Sequence, residues 1–125
     1  MSVWTFFAAA VAGGIGAGAR YLADLLVVGS KPARVPLGIF LVNVTGSFAL
    51  GVLTGLGAAR VGGDVAWVVG VGLLGGYTTF STVSVESVLL MRAGRARRGW
   101  LNAAGTLVAG VVAAGAGLLI GALQP

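Results

Sequence analysis

No cysteine and no histidine occur in the 125 residues, and only three side chains are carboxylates: Asp24, Asp64 and Glu86. Without thiols there are no disulfides and no thiolate metal site; without imidazoles the commonest general base is missing as well. The three carboxylates fall in separate parts of the chain, so no neighbouring pair supplies acid–base chemistry, and an enzyme reading has no nucleophile–base couple to rest on. Charge of either sign is scarce, at 9% of residues, while 58% are hydrophobic. That leaves too little polar side chain to cover a soluble domain of this size.

What is present is apolar sequence in blocks. Four uncharged runs, residues 3–19, 35–59, 65–85 and 99–125, are each long enough to cross a bilayer, since a helix rises 1.5 Å per residue against roughly 30 Å of hydrocarbon. The first is the shortest, and Arg20 can extend it by snorkelling. With their polar ends the runs predict spans over 3–26, 36–59, 65–91 and 99–123, an all-α membrane protein of four transmembrane helices. The links are short, so residues 1–125 are expected to form a single channel-like transmembrane unit with no second domain. No basic residue precedes the first run, which argues against a signal peptide.

The net charge of +5 sits in the links. Lys31, Arg34, Arg92, Arg95, Arg97 and Arg98 fall on the first and third loops, against Arg60 alone on the second. This distribution sets orientation and gives no reason to invoke nucleic acid. Loops one and three are expected on the cytoplasmic side of a bacterial inner membrane, with both termini outside. Trp4, Trp67 and Trp100 lie near the ends of the expected spans, as interfacial indoles do.

Polar residues within the runs carry the functional information. Gly13-Gly14-Ile15-Gly16-Ala17-Gly18 lacks the strand and soluble βαβ unit that a dinucleotide loop needs, so close helix packing through Gly14 and Gly18 is the expectation. Arg20, four residues before Asp24, either pairs with it or draws anions to a vestibule. Asn43 is a buried amide that either bonds another helix or lines a polar path. Glu86, near the end of the third run, is expected to pair with a loop arginine. Asn102 and Thr106 are the polar residues of the fourth run.

The most unusual stretch is Gly75-Gly76-Tyr77-Thr78-Thr79-Phe80-Ser81-Thr82, inside the third run. Glycine weakens a helix interior by about 1 kcal/mol relative to alanine, and threonine hydroxyls compete for backbone hydrogen bonds. In lipid an opened backbone is costly unless it lines a cavity or binds something. The third helix is therefore expected to break at mid-span, and an ion held by the freed carbonyls is the natural occupant.

Together with Gly14–Arg20 and Asn43-Val44-Thr45-Gly46-Ser47-Phe48, this stretch closely resembles the CrcB/Fluc family of fluoride channels, over nearly the whole chain and with the spans in the same order. The resemblance implies an antiparallel, dual-topology-type dimer with two fluoride pathways. It implies a central structural sodium ion (Na+) caged by the carbonyls of Gly75 and Thr78. It also places Asn43, Phe80, Ser81, Thr82 and Thr106 along the fluoride pathway and Arg20 at the vestibule.

Three departures from the family pattern stand out. Val83 replaces a second phenylalanine, Ile39 a threonine, and Asn102 a tyrosine. Two of them remove fluoride-facing groups, and the charge bias favours a single orientation. Both point to a heterodimer with an oppositely oriented paralogue carrying the missing phenylalanine. The competing readings are a proton-coupled exporter of the small multidrug-resistance type and a non-conducting assembly subunit. The exporter needs a carboxylate within the first span, and residues 3–19 hold none. Fluoride flux separates the assembly subunit from a channel.

Overall fold

The computed structural model describes residues 1–29 and 37–125. Lys31 and Arg34, assigned above to the first loop, lie outside the described residues. The described chain is helical. In order it comprises α1 (Val3–Val28), α2 (Leu37–Leu56), the short α3 (Ala58–Val61) and α4 (Gly63–Ala66), a π-helical stretch (Trp67–Leu74), α5 (Gly75–Tyr77), α6 (Ser81–Arg92) and α7 (Ala96–Ala122). Four stretches are long and apolar enough to cross a membrane: Val3–Val27, Leu37–Leu56, Gly63–Arg92 and Ala96–Ala122. The chain is thus a multi-pass membrane protein whose third span is broken, as its sequence predicts.

α1 starts where the Ser2 hydroxyl accepts the Thr5 amide at 3.1 Å, relieving one of the unpaired donors of a helix start. α6 passes to α7 through Gly94, whose φ of 77° favours a residue without Cβ. α2 and α7 form the most extensive helix pair. They lie backbone against backbone: a Cβ at Gly51 or Gly55 would strike the carbonyls of Ala114 or Leu118, and one at Gly117 or Gly121 would strike those of Phe48 or Val52. This small-residue contact is how membrane helices approach closely where lipid gives no hydrophobic drive to associate.

α1 packs on the third span, though by a different face from the one the spacing suggests. A Cβ on Gly14 or Gly18 would meet open space, whereas one on Gly16 would strike the Leu73 carbonyl. From the opposing helix, a Cβ on Gly76 would strike the Gly13 carbonyl. So many glycines crowd this part of α1 that the four-residue rule fits more than one face. Contact with the third span selects Gly13 and Gly16.

The third span departs twice from regular α-helix. Over Trp67–Leu74 it is overwide, and the Gly75 amide reaches the Gly70 carbonyl five residues back. The glycine doublet itself stays helical, with the Thr78 amide on the Leu74 carbonyl at 3.0 Å. The opening comes three residues after Gly75, at Thr78, with φ −82° and ψ 158°. The doublet weakens the helix locally, but Gly76 serves to let α1 approach; side chains elsewhere open the backbone.

Candidate functional site at the broken third span

The opening is made by two side chains that capture amides the helix would otherwise use. In a continuous helix the Thr79 N–H would donate to the Gly75 carbonyl. It donates instead to Oδ1 of Asn43, at 2.8 Å. The Thr82 N–H, due to bond the Thr78 carbonyl, donates to the Thr79 hydroxyl at 3.3 Å. The carbonyls of Gly75 and Thr78 therefore both lose their helical partners. Asn43 closes the arrangement by donating from Nδ2 to the Thr79 carbonyl at 2.9 Å. Both backbone polar groups of Thr79 are thus satisfied by the single side-chain amide of Asn43, which is 8% exposed. Of the two roles open to Asn43 from sequence, the helix-to-helix bond is made, and it leaves one N–H of the amide uncommitted.

A groove of about 830 Å³ runs beside the opening, between α2, the break, α6 and α7. It brings together five of the residues singled out above: Asn43, Gly75, Thr78, Phe80 and Thr106. The Phe80 side chain is 86% exposed, an unusual position for a ring next to a buried amide. Thr106 is buried, and among the described residues its hydroxyl has no hydrogen-bond partner. A buried hydroxyl left unpaired costs about 1–3 kcal/mol, so this one marks a place where a further polar group belongs.

Ser81 and Thr82 do not line the groove. With Thr79 they form a hydroxyl cluster at the start of α6, where Thr79 Oγ1 lies 3.0 Å from Thr82 Oγ1 and 3.3 Å from Ser81 Oγ. Nearby, the Tyr77 and Thr45 hydroxyls meet at 3.0 Å, and Gly46 leaves room for Thr78 and Tyr77 against α2.

Arg20 is turned to the break. Its Nη1 donates to the Thr78 carbonyl, at a long 3.5 Å. Asp24, its suggested i,i+4 partner, has its carboxylate against Gly38 of α2. Among the described residues Glu86 takes no loop arginine, and its Oε2 is buried without a partner there. Arg92, six residues further along α6, points from another face of the helix and is exposed, as are Arg95, Arg97 and Arg98. Arg60 donates to the Gln124 carbonyl at 2.6 Å.

The departures from the family pattern also have places. Val83 is buried and lines the groove; Ile39 is buried in α2. Asn102 donates to the buried Ser87 hydroxyl at 2.9 Å and so joins α7 to α6. Sequence alone gave no signal for this bond, nor for Arg20 at the Thr78 carbonyl, because each joins residues on separate helices with no fixed spacing.

Among the described residues no three His, Cys, Asp or Glu side chains gather to hold a metal. A cation here would be held by uncharged oxygens, carbonyls and hydroxyls. The carbonyls released at Gly75 and Thr78 are hard oxygen donors of the kind that hold cations in ion-conducting proteins.

Comparison with known proteins converges on one group. The family described as "CrcB-like protein, Camphor Resistance (CrcB)" matches residues 7–118. The chain is 41% identical over 125 residues to "Fluoride-specific ion channel FluC 1" of Leifsonia xyli subsp. xyli, covering 98% of this chain and 90% of that one. It is 44% identical over 114 residues to "Fluoride-specific ion channel FluC" of Novosphingobium aromaticivorans, covering 89% and 90%. To "Fluoride-specific ion channel FluC 2" of Cutibacterium acnes it is 40% identical over 113 residues, covering 89% and 92%.

Proposed function

The chain belongs to the CrcB family, and we propose that it is one subunit of a fluoride-selective channel that lets the ion leave the cytoplasm across the inner membrane and so relieves fluoride toxicity. The observation that carries the reading is the groove at the broken span, where an uncommitted amide N–H, an exposed ring and a partnerless hydroxyl converge. Fluoride is small and tightly hydrated, and a pore must replace its water with donors. Asn43 and Thr106 supply N–H and O–H, and the ring edge of Phe80 is positive in the quadrupole sense. Ser81 and Thr82 extend the hydroxyls beyond the groove. None of these carries full charge, so each holds the ion weakly enough to let it go.

Gly75 and Thr78 would hold a structural sodium ion through their released carbonyls. When bound, it supplies fixed positive charge beside the anion path. Two carbonyls from one chain are few for such an ion, and an oppositely oriented second subunit supplies the rest. The exposure of Phe80 supports the same assembly, since a face with such a ring beside a groove suits a protein neighbour.

That neighbour is a paralogue of opposite orientation. Basic residues concentrated on loops one and three hold those loops in the cytoplasm and the termini outside, which disfavours the dual insertion an antiparallel homodimer requires. Val83 on the groove lining marks the missing aromatic that the paralogue contributes.

Expression in a bacterium lacking its own fluoride exporter, with fluoride efflux from liposomes measured in parallel, tests both levels. Rescue is expected only with a second four-span subunit whose basic residues lie in its middle loop and termini. Full rescue by this chain alone defeats the heterodimer and keeps the channel. A folded assembly that passes no fluoride with any such partner defeats the channel in favour of an assembly subunit.

A further inference from the structure

Arg20 is engaged by one partner, and the sequence places a second, Asp24, one helical turn away. Its guanidinium donates to the Thr78 carbonyl at 3.5 Å, a long contact by hydrogen-bond standards and therefore readily given up. Asp24 stands one turn further along α1, at the i,i+4 spacing where an arginine and a carboxylate meet on a helix surface. Both side chains are half-buried, so neither charge is fully screened by solvent.

The Thr78 carbonyl is free for Arg20 only because the Thr82 amide has gone to the Thr79 hydroxyl. It is also one of the two oxygens left for a cation. A guanidinium cannot shed its proton. A second positive charge at the same carbonyl oxygen would sit within a few ångströms of it, in surroundings where like charges repel more strongly than in water.

We propose that Arg20 competes with the cation for the Thr78 carbonyl: the guanidinium caps that oxygen when no cation is bound and transfers to Asp24 when one arrives. Arg20 is then a positioning residue. It protects an opened backbone group in the subunit before the cation binds, and by leaving it places its charge with Asp24. The apparent affinity of the assembled protein for sodium is set by this exchange as well as by the carbonyls themselves. The proposal rests on the cation reading given above.

The experiment is a sodium titration of the thermal unfolding midpoint of the full chain in its assembled form, with N-methylglucamine holding ionic strength constant. Arg20→Gln removes the competitor and is expected to lower the sodium concentration at half-effect by roughly tenfold. Asp24→Asn removes the alternative partner, leaves Arg20 on Thr78, and is expected to raise it by roughly threefold. In the Arg20→Gln background, Asp24→Asn is expected to change nothing, because the exchange it biases no longer exists.

An unchanged or raised half-effect concentration in Arg20→Gln overturns the proposal. So does an Asp24→Asn effect that persists in full without Arg20, which makes Asp24 a direct attractor of the cation. If Arg20→Gln does not fold, Asp24→Asn alone decides, and an unchanged half-effect concentration overturns it. All these results leave the cation reading standing. A wild-type protein whose unfolding ignores sodium overturns both.

Discussion

The α2–α7 pair and the third span use the same small residues to opposite ends. Along α2 and α7, Gly51, Gly55, Gly117 and Gly121 bring two backbones into contact while both helices run unbroken. In the third span, Gly76 does the same against α1, yet the helix opens two residues later. The difference lies in what surrounds the glycine. Where those glycines meet, α2 and α7 present each other with closed backbones. The third span is met by an amide from α2 and carries its own threonine hydroxyls, and these take the hydrogen bonds the helix needs. Glycine permits the approach, and a competing partner makes the break.

Removing that partner tests the contrast most severely. Asn43→Ala leaves the Thr79 N–H and carbonyl both unpaired inside a membrane span. At about 1–3 kcal/mol for each buried unsatisfied group, the expected loss is roughly 2–6 kcal/mol. Thermal unfolding of the purified protein reads it, and fluoride efflux should vanish with it. Thr54→Ala on the same helix is the matched control. That hydroxyl bonds only the Leu50 carbonyl of its own helix, and its removal should change stability by less than about 0.5 kcal/mol. An Asn43→Ala protein as stable as wild type would mean that the third span recloses without help, and the account of the break would fail.

The next effect belongs to the unbroken pair. Gly117→Ala drives a methyl against the Phe48 carbonyl and the Val52 amide, backbone groups that cannot rotate away. The expected cost is about 1–3 kcal/mol of overpacking, read by the same unfolding measurement. Gly14→Ala, whose added methyl meets nothing within 4 Å, should be neutral or slightly stabilising in the helix. If both substitutions cost the same, the face assigned to α1 is wrong.

These pairs also mark how far the sequence can be read. Four spans were legible because each apolar run is long and nearly free of charge. The break was legible as a region, because paired glycines followed by four serines and threonines are out of place in a lipid-spanning helix. Its position was not. It depends on Asn43 being opposite Thr79 at a separation of 36 residues, which no local pattern encodes. The π-helical stretch was invisible for a related reason: Trp67–Leu74 is uniformly apolar apart from one indole, so no local pattern marks it. In α1 the glycines were read as a contact, but their density hid which face makes it. Arg20 was placed near the site, yet its nearest local partner, Asp24, concealed the contact 58 residues away.

The smallest expected effect separates packing from permeation within the groove. Thr106 is buried in α7, and among the described residues its hydroxyl has no partner, in contrast to Asn43, whose amide is engaged on both sides. Thr106→Val keeps the shape and deletes the unpaired group, so stability should rise by about 1 kcal/mol. Fluoride efflux should fall at the same time, because one donor is gone from the path. A structural threonine gives the opposite pattern, with stability falling and flux following the amount of folded protein. Divergence of the two readouts would place Thr106 with the passing ion, and parallel decline would place it with the scaffold of α2 and α7.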